Sequence, residues 1–256
     1  MAYITAWHTD IGIQKKTNQD SLLLMQAQTG AGDVLLGVLC DGMGGLEKGE
    51  VASGNLVSRF RDWFYTQLSG LLQQPEFSLS LSESWNRLIQ EENRRIAAYG
   101  ALHSVSLGTT VTAVLLVGRA YYILNVGDCR VYQLSDTIYQ LTKDQTWVQN
   151  ELDAGRLTLE QALTDPRQNV LLQCVGASSQ VHPDFLAGTL QEQDRLLLCC
   201  DGFRHQVSPE EIYRGLNQQA APTRQEMEQG LRYLVDLNKQ RNEVDNITAI
   251  LIEVHS

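Results

Sequence analysis

Cysteine is sparse and unpatterned in this sequence. Five cysteines are spread over 256 residues, an odd number, and no two form a C-x-x-C. That argues against a disulfide framework and for a reducing compartment. Cys40, Cys199 and Cys200 close apolar runs and read as small core residues. The five histidines, His8, His103, His182, His205 and His255, are dispersed with no H-x-x-x-H, which speaks against zinc. No cysteine is followed by five residues and an arginine, and there is no G-x-x-x-x-G-K-[ST] and no G-x-S-x-G. No apolar run approaches the roughly 20 residues of a spanning helix, and no leader-like segment follows Met1. The expectation is a cytoplasmic protein without a membrane partner. Positive charge is also scarce: 20 Lys and Arg against 30 Asp and Glu give a net charge of −10, which disfavours nucleic acid. An acidic chain can still act on phosphates if bound metals invert the local field. Repeats, low-complexity tracts and linkers are missing, so residues 1–256 read as a single domain.

What is present is a hydrophobic content of 43%, organised around VLLGVLCDGMGGLEKGEVAS at residues 34–53. The run 34–39 reads as a strand covered on both faces. It stops at Asp41, and Gly42, Gly44 and Gly45 follow as a turn whose backbone can come close to a ligand. A carboxylate beside bare backbone suits a hard cation. Further strands are expected over 2–10, 21–27, 106–117, 120–126, 130–134, 138–141, 169–175, 181–190, 195–200 and 247–254. Helices are expected over 50–68, 81–99, 209–217 and 224–240, with Gly100 stopping the second. Trp63, Trp85, Phe60 and Phe64 read as core, and 144–165 as a polar surface excursion or flap. Strands and helices segregate, which indicates an α+β fold: a four-layer α-β-β-α sandwich of two antiparallel sheets flanked by helix pairs.

Four acids share one placement. Asp41 follows VLLGVLC, Asp128 follows YYILNVG, Asp201 follows RLLLCC, and Asp245 stands just before the last strand. In antiparallel sheets the end of one strand and the start of the next share a rim, so the four carboxylates converge. Such anions repel unless cations sit among them. With oxygen ligands alone, Mg²⁺ or Mn²⁺ is the expected occupant. Two such ions clamp a phosphoryl group and generate hydroxide near neutral pH, which points to hydrolysis of a phosphate ester. Lys15 and Lys16 are the candidates to hold the phosphate.

TDIGIQKKTNQDS, CDGMGGLEKGEVAS, SLGTTVTAV, NVGDCRVY, LTKDQT, CCDGF and DNITAIL occur in this order across nearly the whole chain. Together they resemble the bacterial branch of the metal-dependent (type 2C, PPM) serine/threonine protein phosphatases. The resemblance implies a centre of two, at most three, Mn²⁺ or Mg²⁺ ions and removal of phosphate from phosphoserine and phosphothreonine by a metal-bridging water. Asp41 would bridge the two metals and the Gly42 carbonyl would bind the second. Asp201 and Asp245 would complete the first, and Asp20 would act through water. Asp128 with Asp201 would form a third position, and 144–165 would be the flap that influences access. Phosphorylated proteins and a cognate serine/threonine kinase are the implied partners. Lys15 replaces the usual arginine, keeping the charge but losing the bidentate fork. Met43 replaces a histidine of eukaryotic members. Leu46, Gln145 and Asp165 stand where histidine is frequent, Gln19 where glutamate is common, and Arg204-His205 where Thr-Asp is commoner. These departures leave one alternative: a catalytically weak phosphoprotein-binding regulatory module on the same fold.

Overall fold

The structure is a computed structural model that describes residues 2–43, 48–217 and 222–255. The chain runs through β1 (Ala2–Asp10), β2 (Ser21–Thr29), β3 (Gly32–Cys40), α1 (Gly49–Thr66), α2 (Leu68–Leu71) and α3 (Phe77–His103). Four strands follow, β4 (Val111–Val117), β5 (Ala120–Val126), β6 (Arg130–Leu134) and β7 (Ile138–Gln140), then two short helices, α4 (Trp147–Asp153) and α5 (Leu159–Ala162). The chain closes with β8 (Asp184–Thr189), β9 (Arg195–Cys199), α6 (Asp201–Arg204), α7 (Pro209–Leu216), α8 (Arg224–Gln240) and β10 (Ile247–His255). The strands form two five-stranded antiparallel sheets, ordered β1-β10-β9-β6-β7 and β2-β3-β4-β5-β8. The expected sandwich is therefore present.

The central strand explains the layering. Successive side chains of a strand point to opposite faces. In β3, Leu35 and Leu39 join the core that contains β9 and β10, while Val34, Leu36, Val38 and Cys40 join the one that contains α1 and α3. Gly37 faces the opposite sheet, where an added Cβ would meet Ile252 and Leu198. The expected core aromatics are buried, and Phe60 and Trp63 pack edge-on against Trp85 with centroids 5.8 and 5.5 Å away. Met227, Leu231, Leu234, Val235 and Asn238 form the buried stripe of α8, and all five cysteines are free and buried. Ser208 and Thr223 start α7 and α8 through reciprocal capping boxes with Glu211 and Glu226.

Three expectations need correction. Gly100 does not end the second long helix; α3 runs to His103 and is capped by Ser104 in the left-handed region. Glycine is required at 100 because a Cβ would lie 2.7 Å from the Val105 carbonyl oxygen. The apolar run 169–175 is not a strand: it makes only isolated bridges, Leu171 to Thr146 and Val175 to Thr109. The strand expected from 106 begins at Val111. Gly44, Gly45 and Leu46 lie outside the described residues. Among the described residues, no helix is long and apolar enough to cross a membrane.

Candidate metal centre and active site

Strand register gathers the acids. Ser21 pairs with Cys40, Leu39 with Thr112 and Val111 with Val126, so Asp20, Asp41, Thr110 and the 127–128 turn leave one sheet at the same rim. In the other sheet Cys199 pairs with both Ala249 and Arg130, which brings Asp201, Asp245 and Asp128 to its matching edge. Lys15, Asp41, Asp128, Asp201 and Asp245 line one cavity of about 300 Å³. Met43, Thr110, Asn169 and Leu171 complete its wall. Asp20 lies beneath, a carboxylate oxygen within 4.8 Å of one on Asp41 and of the Cys200 sulfur.

Backbone contacts fix these positions. The Asp41 N–H donates to Thr110 Oγ1 at 3.0 Å, and Thr109 Oγ1 donates to the Asp41 carbonyl at 2.9 Å. The Gly42 N–H donates to the Gln19 carbonyl at 3.1 Å. A Cβ on Gly42 would fall 2.5 Å from that oxygen and 2.6 Å from the Gly49 carbonyl, so only glycine fits. Asn246 accepts from the Gln19 N–H and donates to the Ile11 and Thr17 carbonyls, at 2.9, 2.9 and 3.2 Å. It thereby ties the connector bearing Lys15 and Asp20 to the segment bearing Asp245. A Cβ on Gly202 would lie 2.2 Å from the Asn246 carbonyl oxygen, a close approach that brings Asp201 beside Asp245.

The electrostatics are those of crowded anions. Burial pushes Asp20 up to about 7, reinforced by Asp201 and Asp245 and partly offset by Thr248 and Cys200. Burial likewise holds Asp41 well above the usual carboxylate range, with Asp20 and Asp201 adding to it. Asp128 is pushed up to about 7 by burial and Asp201, while Arg204 and His205 pull it back. Among the described residues, both Asp20 carboxylate oxygens and Asp201 Oδ1 are buried with no hydrogen bond of full geometry. Burial would lower the Lys15 pKa, but Asp245, 2.8 Å away, overrides this, with Asp41 and Asp201 behind it, and the ammonium stays charged. The Cys200 thiol accepts from the Thr248 N–H at 3.1 Å, and burial and the nearby acids keep it protonated. The donor set is thus oxygen, and buried anionic oxygens short of hydrogen bonds fit hard divalent cations.

Some expected positions lie elsewhere. Asp165 pairs with Arg167 at 2.9 Å, and Gln145 accepts from the Gly127 N–H at 2.8 Å as a structural brace. The wall residues Asn169 and Leu171 come after the expected flap at 144–165. Sequence reading missed the staple made by Asn246, the Thr109 and Thr110 contacts, and the partners of Asp128. DNITAIL carries the asparagine in plain view, but its role depends on a loop some 230 positions away. His205 lies 3.5 Å from Asp201 Oδ2 and 3.4 Å from Glu243 Oε2, a bridge between two acids.

Carboxylates converging beside a charged ammonium in an open pocket are the equipment of a divalent-metal phosphoester hydrolase. The chain matches the model of the protein phosphatase 2C family over residues 13–238. It is 33% identical over 220 residues to the serine/threonine phosphatase stp of Listeria innocua, covering 84% of this chain and 83% of that protein. It is 31% identical over 252 residues to PstP of Mycobacterium tuberculosis, covering 97% of this chain and 44% of that one. The solved S. agalactiae serine/threonine phosphatase superposes with a TM-score of 0.83 at 32% identity, over 99% of this chain and 100% of that one. The catalytic domain of PstP in complex with two manganese ions superposes at 0.78 with 28% identity, over 99% of each chain. The chain belongs to the protein phosphatase 2C family, in its bacterial branch, and is a metal-dependent phosphatase of the serine/threonine type.

Proposed function

We propose that this chain, acting as one domain over residues 1–256, hydrolyses phosphoserine and phosphothreonine on proteins with two Mn²⁺ or Mg²⁺ ions. The observation that carries this is the buried oxygen of Asp20 and Asp201, with no hydrogen bond of full geometry, beside Asp41 in a pocket that Lys15 also lines. In this reading Asp41 and the Gly42 carbonyl would hold one ion, and Asp41, Asp201 and Asp245 the other, with Asp20 contributing through water. The bound ions would neutralise the acids and make hydroxide available near neutral pH. Hydrolysis forms a bond from water oxygen to phosphorus and breaks the bond to the seryl or threonyl oxygen. Lys15 attracts the phosphate and must leave Asp245 to meet it, an exchange that becomes easy once cations neutralise that acid. Lysine acts there as a point charge where arginine would form a fork. Segment 144–165 acts as a flap over the entrance. The site faces a serine/threonine kinase system in the cytoplasm, and its substrates are that system's phosphoproteins.

The test is phosphate release from a phosphothreonine peptide. Release rises with Mn²⁺, disappears with chelator and is absent in Asp201→Asn. In the same assay Lys15→Arg lowers KM. Binding of the peptide without metal-stimulated turnover would instead favour a regulatory module.

A further inference from the structure

Asp128 faces the same cavity as the other acids and has a guanidinium packed against it from behind the wall. Arg204 is mostly covered, its side chain 12% exposed. Its Nη2 donates to the Asp128 carbonyl at 3.0 Å and lies 3.3 Å from Asp128 Oδ2 and 3.5 Å from Asp144 Oδ2. Asp144 is itself clamped by Arg130 through two hydrogen bonds, at 2.8 and 2.7 Å. Two carboxylates and two guanidiniums thus close into a neutral set on one side of the pocket. Arg204 ends the single turn of α6, which begins at Asp201, so one short helix delivers an acid to the pocket and a cation to its flank.

The remaining charges then count simply. Asp20, Asp41, Asp201 and Asp245 carry four negative charges and Lys15 one positive, a net of three that two divalent ions already more than offset. A third divalent ion at Asp128 would meet a fixed positive group where the charge is already neutralised. We infer that Arg204 is the built-in counter-charge of Asp128, standing where a further divalent ion would otherwise be held, so that the centre takes two ions and no third. This rests on the reading of the acids as a metal site given above.

The experiment counts Mn²⁺ per chain by equilibrium dialysis with metal analysis, supported by calorimetry. The wild-type chain binds two. Arg204→Met, which keeps the bulk and removes the charge, binds three, because it leaves a buried carboxylate unpaired. The added ion is lost again when Asp128→Asn is combined with it. Arg204→Lys stays at two. Asp128→Asn alone also stays at two, a result independent of how well the methionine variant folds. Three ions in the wild type falling to two in Asp128→Asn, or only two in a folded Arg204→Met, would overturn the role of Arg204. Failure of the underlying site looks different: Mn²⁺ then binds weakly or not at all, and Asp201→Asn changes nothing.

Discussion

Asp41→Asn is expected to cut metal-dependent kcat/KM by about 10³-fold or more, while making the metal-free protein more stable. The two effects have one cause. Asp41 is held well above the ordinary carboxylate range by burial and by Asp20, Asp201, Asp128 and Asp245. That arrangement costs folding energy in the absence of cations and provides the field that binds them in their presence. Asparagine keeps the shape and removes the charge. A loss of transition-state charge stabilisation on this scale is what removing one preorganised electrostatic group costs. Each kcal/mol of relieved repulsion should raise the melting temperature by about 2–4 °C. Kinetics and calorimetry on the same preparation check both. A fall in activity together with a fall in metal-free stability would mean that Asp41 is structural.

The second large effect is a pH-dependent gain in stability on metal binding. Asp20 titrates at about 7 in the fold and Asp41 is held well above the usual carboxylate range, both far from an unfolded aspartate. Below about pH 3 both states are protonated, and these groups contribute nothing. As pH rises toward 7 the unfolded chain ionises first, so the metal-free fold loses stability. Glu211, depressed to about 2 chiefly by Arg241, has completed its opposite contribution below this range. Burial lowers the His205 pKa, but Glu243 and Asp201 more than offset it, so its contribution is also lost as pH rises. Metal-free and Mn²⁺-loaded protein are therefore compared at each pH. Cations favour the ionised acids, so the Mn²⁺-induced shift should be roughly 10 °C larger at pH 7.5 than at pH 5. A shift of equal size at both would show that the ions bind away from the crowded carboxylates.

Much of this was legible from residues alone. The two-sided burial of β3 follows from an unbroken apolar run, and the common rim follows from Asp41, Asp128, Asp201 and Asp245 standing at strand edges. Antiparallel pairing does the rest. Less legible were features that need two distant segments at once. Gly100 carries an ordinary helix-stop signal, yet its reason is the nearby Val105 carbonyl. NVLLQCV at 169–175 has strand composition, but its pairing is confined to two isolated bridges. Gly12 and Gly202 sit against the backbone of Asp245 and Asn246, contacts that no local pattern encodes. Arg204 reads as a departure from a commoner residue, and only the fold reveals that Asp128 and Asp144 both lie against its Nη2.

The central claim is that acids from separate strands form one divalent-metal centre. The most direct measurement is anomalous diffraction from a crystal of this protein soaked in MnCl₂. The account predicts two manganese peaks in the cavity, both within coordinating distance of Asp41, with Asp201 and Asp245 completing one of them. Peaks only elsewhere on the acidic surface, with Lys15 still paired to Asp245 and no density beside Asp41, would contradict it.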